Sequence, residues 1–166
     1  TEQKKVELVK KCVGWWGKLR NYARRLSVIH GDYHPFNIVF KNEKDTEFIL
    51  LDRSRGEFGE PADDTTSLAN NFIFWSFAKY GKLVGEFRDL FDLFFDTYFS
   101  KTKDYEQLEV MPPYFAFRAI VVANPVFYPD SWFMERGVKN PNEVRLKLFN
   151  FANNILDTDR VDLKKI

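Results

Sequence analysis

His30-Gly31-Asp32-Tyr33-His34-Pro35-Phe36-Asn37 gathers both histidines of the chain with one carboxylate and one amide, and a further aspartate, Asp52, follows a β-rich stretch. An aspartate, an asparagine five positions on, and a second aspartate at the end of a hairpin form a set suited to phosphoryl transfer. Such transfer asks a protein for positioning and charge neutralisation more than for covalent chemistry. Asp32 would accept the hydrogen bond of a substrate hydroxyl and take its proton as the bond to phosphorus forms. Asn37 and Asp52 would supply hard oxygen ligands to Mg2+, which prefers carboxylate, amide carbonyl, water and phosphate to nitrogen or sulfur. Gly31 would permit the sharp bend that presents Asp32.

Two other readings compete for these residues. His30 and His34, four apart, would bind zinc from one helix face. Gly31 and Pro35 oppose a continuous helix there, the chain has no third histidine, and Cys12 lies in a different element. His30, Asp32 and Asn37 would otherwise do no more than satisfy backbone groups, as Asx-rich loops do. That reading suits each residue alone and fits poorly the whole set, ahead of a hairpin and Asp52.

Periodicity predicts the elements that must position the set. Val6, Val9, Val13, Trp16, Leu19, Ala23 and Leu26 recur at three- and four-residue intervals, the mark of one amphipathic helix, weakened but not ended by Gly14 and Gly17. Ser27-Val28-Ile29 is a short apolar lead into the motif, which Gly31 and Pro35 keep on a loop. Ile38 to Phe40 and Glu47 to Leu51 predict a hairpin across the polar stretch from Lys41 to Thr46. A loop from Arg53 to Asp63, with Gly56, Gly59 and Pro61, leads to a second helix for which Asp64 is the expected N-cap. The clearest helix runs from about Leu83 to Phe99, with one apolar stripe. Pro112-Pro113 is expected to break the next segment, so that a largely buried helix runs from Tyr114 to Ala123 with Arg118 as a charge in need of a partner. After a loop with Pro125 and Pro129, Asn140-Pro141-Asn142-Glu143 signals the start of a last helix ending near Asp157. The pattern reads as a single domain over residues 1–166, α+β and mostly α, without internal repeat or low-complexity linker.

Composition bounds the function. Hydrophobic residues make up 45% and aromatics 17% of 166 residues, with 18 Phe, which predicts a dense aromatic core and excludes disorder. A net charge of +1 argues for neither nucleic acid nor an acidic partner. The first 25 residues carry eight Lys or Arg against Glu2 and Glu7 and read as a solvated helix face. A nucleic-acid binder would need an exposed aromatic pattern and more positive charge than the chain has. Cys12 alone excludes an internal disulfide framework and agrees with a reducing compartment, so the expected location is the cytoplasm. No segment reads as a signal peptide or a membrane span; the most apolar run, Phe115 to Phe127, is interrupted by Arg118, Asn124 and Pro125. The chain opens at Thr1 without an initiator methionine, which reads as part of a longer chain.

The motif from His30 to Asn37 resembles the catalytic loop of the aminoglycoside phosphotransferase and choline kinase family, small-molecule kinases with a protein-kinase-like fold. Glu60-Pro61-Ala62-Asp63-Asp64 is similar to that family's acidic-Pro-Ala-x-Asp signature at the start of the next helix. The resemblance implies a protein-kinase-like C-terminal lobe that moves the γ-phosphoryl group of ATP, or of another NTP, to a hydroxyl of a small molecule. It assigns Asp32 as the base and Asn37 and Asp52 as the ligands of Mg2+. It also implies that Asp64 is a carboxylate bracing the catalytic loop and that His30 stabilises the loop rather than shuttling protons. Arg53 departs from the aromatic usual after the metal-binding aspartate, and Glu60 stands where the family has Asp. The family's N-terminal lobe, with a strand-loop over the phosphates and a gripping lysine, has no counterpart upstream of His30, where there is one basic helix. The expectation is half an active site, inactive alone and completed by an N-terminal lobe in cis or in trans; the alternative is a kinase-like binding or regulatory module without catalysis. The loop from Phe127 to Phe133 combines aromatics with Asp130 and would suit a cationic substrate, unless its rings close the core.

Overall fold

Most aromatic side chains and, among the described residues, all but two of the buried apolar ones lie from Pro61 onwards, and the core is built there. The structure, a computed structural model, describes residues 2–53 and 58–166; Gly56 of the expected loop lies outside them. In chain order the elements are α1 (Glu2–Leu19), a 3-10 turn (Arg20–Arg25), β1 (Ser27–Val28), a 3-10 turn (Pro35–Asn37), β2 (Ile38–Phe40), β3 (Phe48–Leu50) and β4 (Phe58–Gly59). Then follow α2 (Pro61–Tyr80), α3 (Gly85–Thr102), α4 (Gln107–Ala123), α5 (Asp130–Glu135), α6 (Pro141–Ile155) and a closing 3-10 turn (Leu163–Lys165). The chain is therefore α+β and mostly helical, with two small antiparallel sheets, β1 with β4 and β2 with β3. Among the described residues no helix is long and apolar enough to cross a membrane.

The core lies between α2, α3, α4 and α6. Phe91 and Phe95 of α3 meet Phe115 of α4, with the Phe91 and Phe95 rings edge-on at 4.9 Å between centroids, the arrangement aromatic quadrupoles prefer. Ala69, Ala116, Ala119 and Ala152 are buried, and small side chains at these places let the helices approach. Each fully buried phenylalanine contributes about 1.5–3 kcal/mol by leaving water.

Two expectations about helix limits are corrected. α4 runs from Gln107 straight through Pro112 and Pro113 instead of starting at Tyr114. A proline inside a helix leaves the carbonyl four residues earlier without its donor, and for Pro112 that carbonyl, on Leu108, accepts from the Val161 N–H at 2.8 Å. The C-terminal segment thus supplies the bond that the proline removes. α2 begins at Pro61, with Glu60 and not Asp64 as its N-cap; the Glu60 carboxylate accepts from the Ala62 N–H at 3.4 Å. Proline at the first helical position fixes that start and frees Asp64 for another partner.

The first helix forms over the start of the stretch that periodicity marks, but it ends at Leu19, where a 3-10 turn takes over before Leu26, and it presents the other face. Leu8 and Trp15 are buried, while Val6, Val9, Val13 and Trp16 are exposed. The docking face is decided by polar bonds to the end of α6. The Trp15 indole N–H donates to the Leu156 carbonyl at 2.9 Å, and the Lys11 ammonium donates to the Asn153 carbonyl at 3.3 Å and to Asp157 at 2.7 Å. The last carbonyls of a helix lack intrahelical donors and carry partial negative charge, so a lysine and an indole on α1 satisfy them. The basic segment is accordingly not only a solvated face: Lys11, Lys18, Arg24 and Arg25 all pair with acids of the helical body.

Candidate active site

The catalytic-looking loop is held from below by α2. β1 pairs with β4 through Ser27 with Gly59 and Val28 with Phe58, which sets the chain leading into the loop beside the chain leading into α2. Asp64, in the first turns of α2, then accepts two backbone bonds, from the His30 N–H at 2.7 Å and the Gly31 N–H at 2.9 Å. Gly31 has φ +80°, a left-handed value at which a side chain is strained. His30 is buried, and its Nδ1 accepts from the Asp32 N–H at 3.3 Å, so the ring proton sits on Nε2. Three successive loop N–H groups are thereby satisfied by two side chains. Replacing Asp64 with alanine leaves two of them without an acceptor, and the expected loss of stability is about 2–4 kcal/mol. Hydrogen exchange at the His30 and Gly31 amides should accelerate well beyond that of the α4 amides; uniform change across the domain would mean that Asp64 is not a local brace.

Asp32 follows, 7% exposed, with its carboxylate between two cationic or potentially cationic groups. Arg118 Nη1 lies 3.6 Å from Oδ1, and His34 Nε2 lies 3.6 Å from Oδ2. Arg118 finds its closer partner in Asp63, at 2.8 Å, and also reaches the Gly31 carbonyl at 3.3 Å. Burial pushes the Asp63 carboxyl up from the usual aspartate range, against the downward pull of Arg118. Sequence marked Arg118 as a charge lacking a partner; the structure supplies Asp63 and sets it beside Asp32.

Pro35 to Asn37 form a tight turn in which the Asn37 N–H donates to the His34 carbonyl at 2.9 Å. The Asn37 side chain turns back into the loop, its Nδ2 donating to the Asp32 carbonyl at 3.0 Å. That bond fixes the amide's orientation, with the nitrogen end toward the loop and Oδ1 at the opposite end. The hairpin then returns the chain to the same place: Ile38 pairs with Leu50, and the Leu51 N–H donates to the Asn37 carbonyl at 2.9 Å. Asp52 is the next residue and takes φ +55°, a left-handed conformation that a non-glycine residue adopts at some cost in strain. Arg53 donates from Nε to the Ile29 carbonyl at 3.1 Å and so ties the end of the hairpin to the lead of the loop.

Asp32 and Asn37 are thus joined directly, His30 and Asp64 belong to the same bonded loop, and Asp52 is brought alongside through the hairpin backbone. An amide oxygen just before β2 and a carboxylate just after β3 are the hard donors that Mg2+ takes, and that ion draws its remaining ligands from water and phosphate. Among the described residues no group of three or more His, Cys, Asp or Glu side chains is arranged to hold a metal by protein ligands alone. His30 and His34 do not share a helix face, since His34 has extended dihedrals of −139° and 163°.

Beside Asp32 opens a cavity of about 610 Å³, within the usual range for small-molecule sites. Its walls include Asn70 and Trp75 of α2, Phe117 and Arg118 of α4, and Trp132 and Arg136 from α5 and its C-terminal end. The aromatic loop divides its labour: Phe133 enters the core, Phe127 and Trp132 line the cavity, and Asp130 is engaged by Arg145. Asn70 and Arg136 were not legible as site residues, although an Asn70-Asn71 pair inside an otherwise apolar helix is a signal of polar demand at that depth. Compared with protein-family models, with curated proteins and with solved structures, the chain has no match.

Proposed function

We propose that this chain is the C-terminal lobe of an ATP-dependent phosphotransferase with a small-molecule hydroxyl as acceptor. The observation that carries the reading is the closed circuit from Asp32 through the Asn37 side chain to the hairpin and Asp52, underpinned by Asp64. In the step it supports, Asp32 accepts the acceptor's hydroxyl proton while that oxygen forms a bond to the γ-phosphorus. The bond between the γ-phosphorus and the β–γ bridging oxygen breaks, and its electron pair leaves with ADP. Bound Mg2+ would neutralise phosphate charge, held by Asn37 and Asp52. Arg118 sets a positive charge 3.6 Å from the Asp32 carboxylate, and the adjoining cavity would receive the acceptor.

A second lobe, in cis or in trans, is part of the proposal. The hairpin exposes Phe40, Phe48 and Leu50 on one face and Val39 and Ile49 on the other, and exposed apolar surface of that kind marks a surface made to be covered. The reading is tested by supplying the chain with a nucleotide-binding lobe and following label from γ-labelled ATP into hydroxyl acceptors. Mg2+-dependent transfer is expected, and a chain that binds the lobe and the nucleotide yet transfers nothing would leave the non-catalytic module as the better account.

A further inference from the structure

The cavity beside Asp32 has a charge pattern that narrows the acceptor. Among the described residues lining it, Asp32 carries the one carboxylate, against the guanidinium groups of Arg118 and Arg136. Arg118 is committed to Asp63. Arg136 is held far more loosely: its Nη1 donates to the Trp132 carbonyl at 3.1 Å, and the carboxylate of Glu135, 72% exposed, stands 3.9 Å away. The Arg136 guanidinium carbon lies 4.2 Å from the centroid of a Trp132 ring. An aromatic face that would seat a cationic ligand is therefore already occupied by a cation. Asp130, the acid that a cationic ligand would need from the same segment, is paired with Arg145.

The cavity is also built to meet a polar ligand. Asn70 is 6% exposed, and its Nδ2 donates to the Phe115 carbonyl at 3.3 Å. Its Oδ1 is buried without a hydrogen-bond partner in the protein. Buried acceptors are almost always satisfied, and this residue, which lines the cavity, brings an unmet polar demand to its wall. Around it the walls are apolar, with Phe74, Trp75 and Phe117.

We infer that the acceptor is a hydroxyl compound with an apolar, ring-sized body and an anionic group, a carboxylate in the simplest case, which pairs with Arg136. Amino-alcohols and aminoglycosides are disfavoured, because an ammonium group in this cavity meets the Arg136 guanidinium and a single carboxylate that the reaction itself needs. The inference rests on the proposed phosphotransfer for the fate of the hydroxyl, and on the cavity alone for the sign of the charge.

Three matched probes test it: 4-(hydroxymethyl)benzoate, 1,4-benzenedimethanol and 4-(aminomethyl)benzyl alcohol, which share a ring and a primary alcohol and differ in charge. Binding is read from the fluorescence of Trp75 and Trp132 across the millimolar range. The carboxylate is expected to bind about tenfold tighter than the amine, the scale of one charge-assisted hydrogen bond. Arg136→Gln should bring the carboxylate down to the level of the uncharged diol. Equal or tighter binding of the amine overturns the inference, as does the absence of quenching by all three. Carboxylate-selective binding without phosphoryl transfer to any probe would remove the proposed function and keep this one; efficient transfer with a preference for the amine would do the reverse.

Discussion

Asp32→Asn, assayed with the nucleotide-binding lobe supplied, is expected to lower the rate of phosphoryl transfer by about 10²- to 10⁴-fold, the range that a positioned general base contributes. The substitution keeps the shape of the side chain and removes the atom that takes the proton. Asp32 faces Arg118 and His34 at 3.6 Å each, while the close partner of Arg118 is Asp63 at 2.8 Å, so the arginine stays neutralised in the variant. The loop is carried by Asp64 and by the His30 ring, through backbone N–H groups that the change does not touch. Nucleotide affinity and the unfolding midpoint should therefore stay near those of the parent. Unimpaired transfer would remove Asp32 from the role of base. A loss of rate matched by a loss of fold would show instead that the carboxylate is structural.

Arg25→Met is expected to cost about 3–5 kcal/mol of stability, read from chemical denaturation, because it breaks a buried ion network from one side. The Arg25 side chain is 7% exposed and grips two carboxylates with paired bonds. Nε and Nη2 donate to Glu60 at 3.0 and 2.8 Å, and Nη1 and Nη2 donate to Asp104 at 2.6 and 2.7 Å. The hydrogen bonds it donates to Asp104, ahead of those to Glu60, hold the guanidinium in its charged form and drive its pKa upward. Removing the arginine strands the Glu60 carboxylate, whose side chain is 4% exposed. Glu60 also caps α2, one turn before Asp64, so the damage passes from the network to the brace of the loop from His30 to Asn37. Arg25→Lys should fall between parent and Met variant, since an ammonium keeps the charge and loses the fork. A destabilisation below about 1 kcal/mol, the scale of an exposed pair, would mean that the network is open to water.

Local chemistry was legible where a signal and its consequence lie within one turn. Asn140-Pro141 starts α6 with the Asn140 side chain accepting from the Glu143 N–H, as the spacing implies, and β2 pairs with β3 across the polar stretch. Interactions between distant segments were not legible. Periodicity on α1 picked Val6, Val9 and Val13, while the buried face is chosen by carbonyls and acids of α6 some 140 residues later in the sequence. Pro112 reads as a breaker until Val161 supplies the missing donor. Asp64 has the residue type and position of a cap, yet Pro61 sets the helix start and the His30 and Gly31 amides claim the carboxylate. The short pairing of β1 with β4 escaped for the same reason: two residues carry no period, and the partner strand lies across the whole motif and hairpin.

Asp32, Asn37 and Asp52 were named from type and spacing, and their connection runs through the Asn37 side chain and the hairpin backbone. The cavity could not be named in that way. Its walls come from α2, α4 and α5, and its charge depends on which arginine is already spent on Asp63. Identity of residues tells what could react; only their assembly tells what could enter.

The central claim is that this loop and hairpin hold the metal and phosphates of a nucleotide. Paramagnetic broadening measures it most directly, since Mn2+ replaces Mg2+ at oxygen sites and a weakly bound ion still broadens nearby amides. With Mn2+ and ATP added to the isotope-labelled chain, the account predicts broadening concentrated at residues 31–38 and 50–53, and its disappearance in Asp52→Asn. Broadening centred elsewhere, or a pattern that Asp52→Asn leaves unchanged, would contradict it.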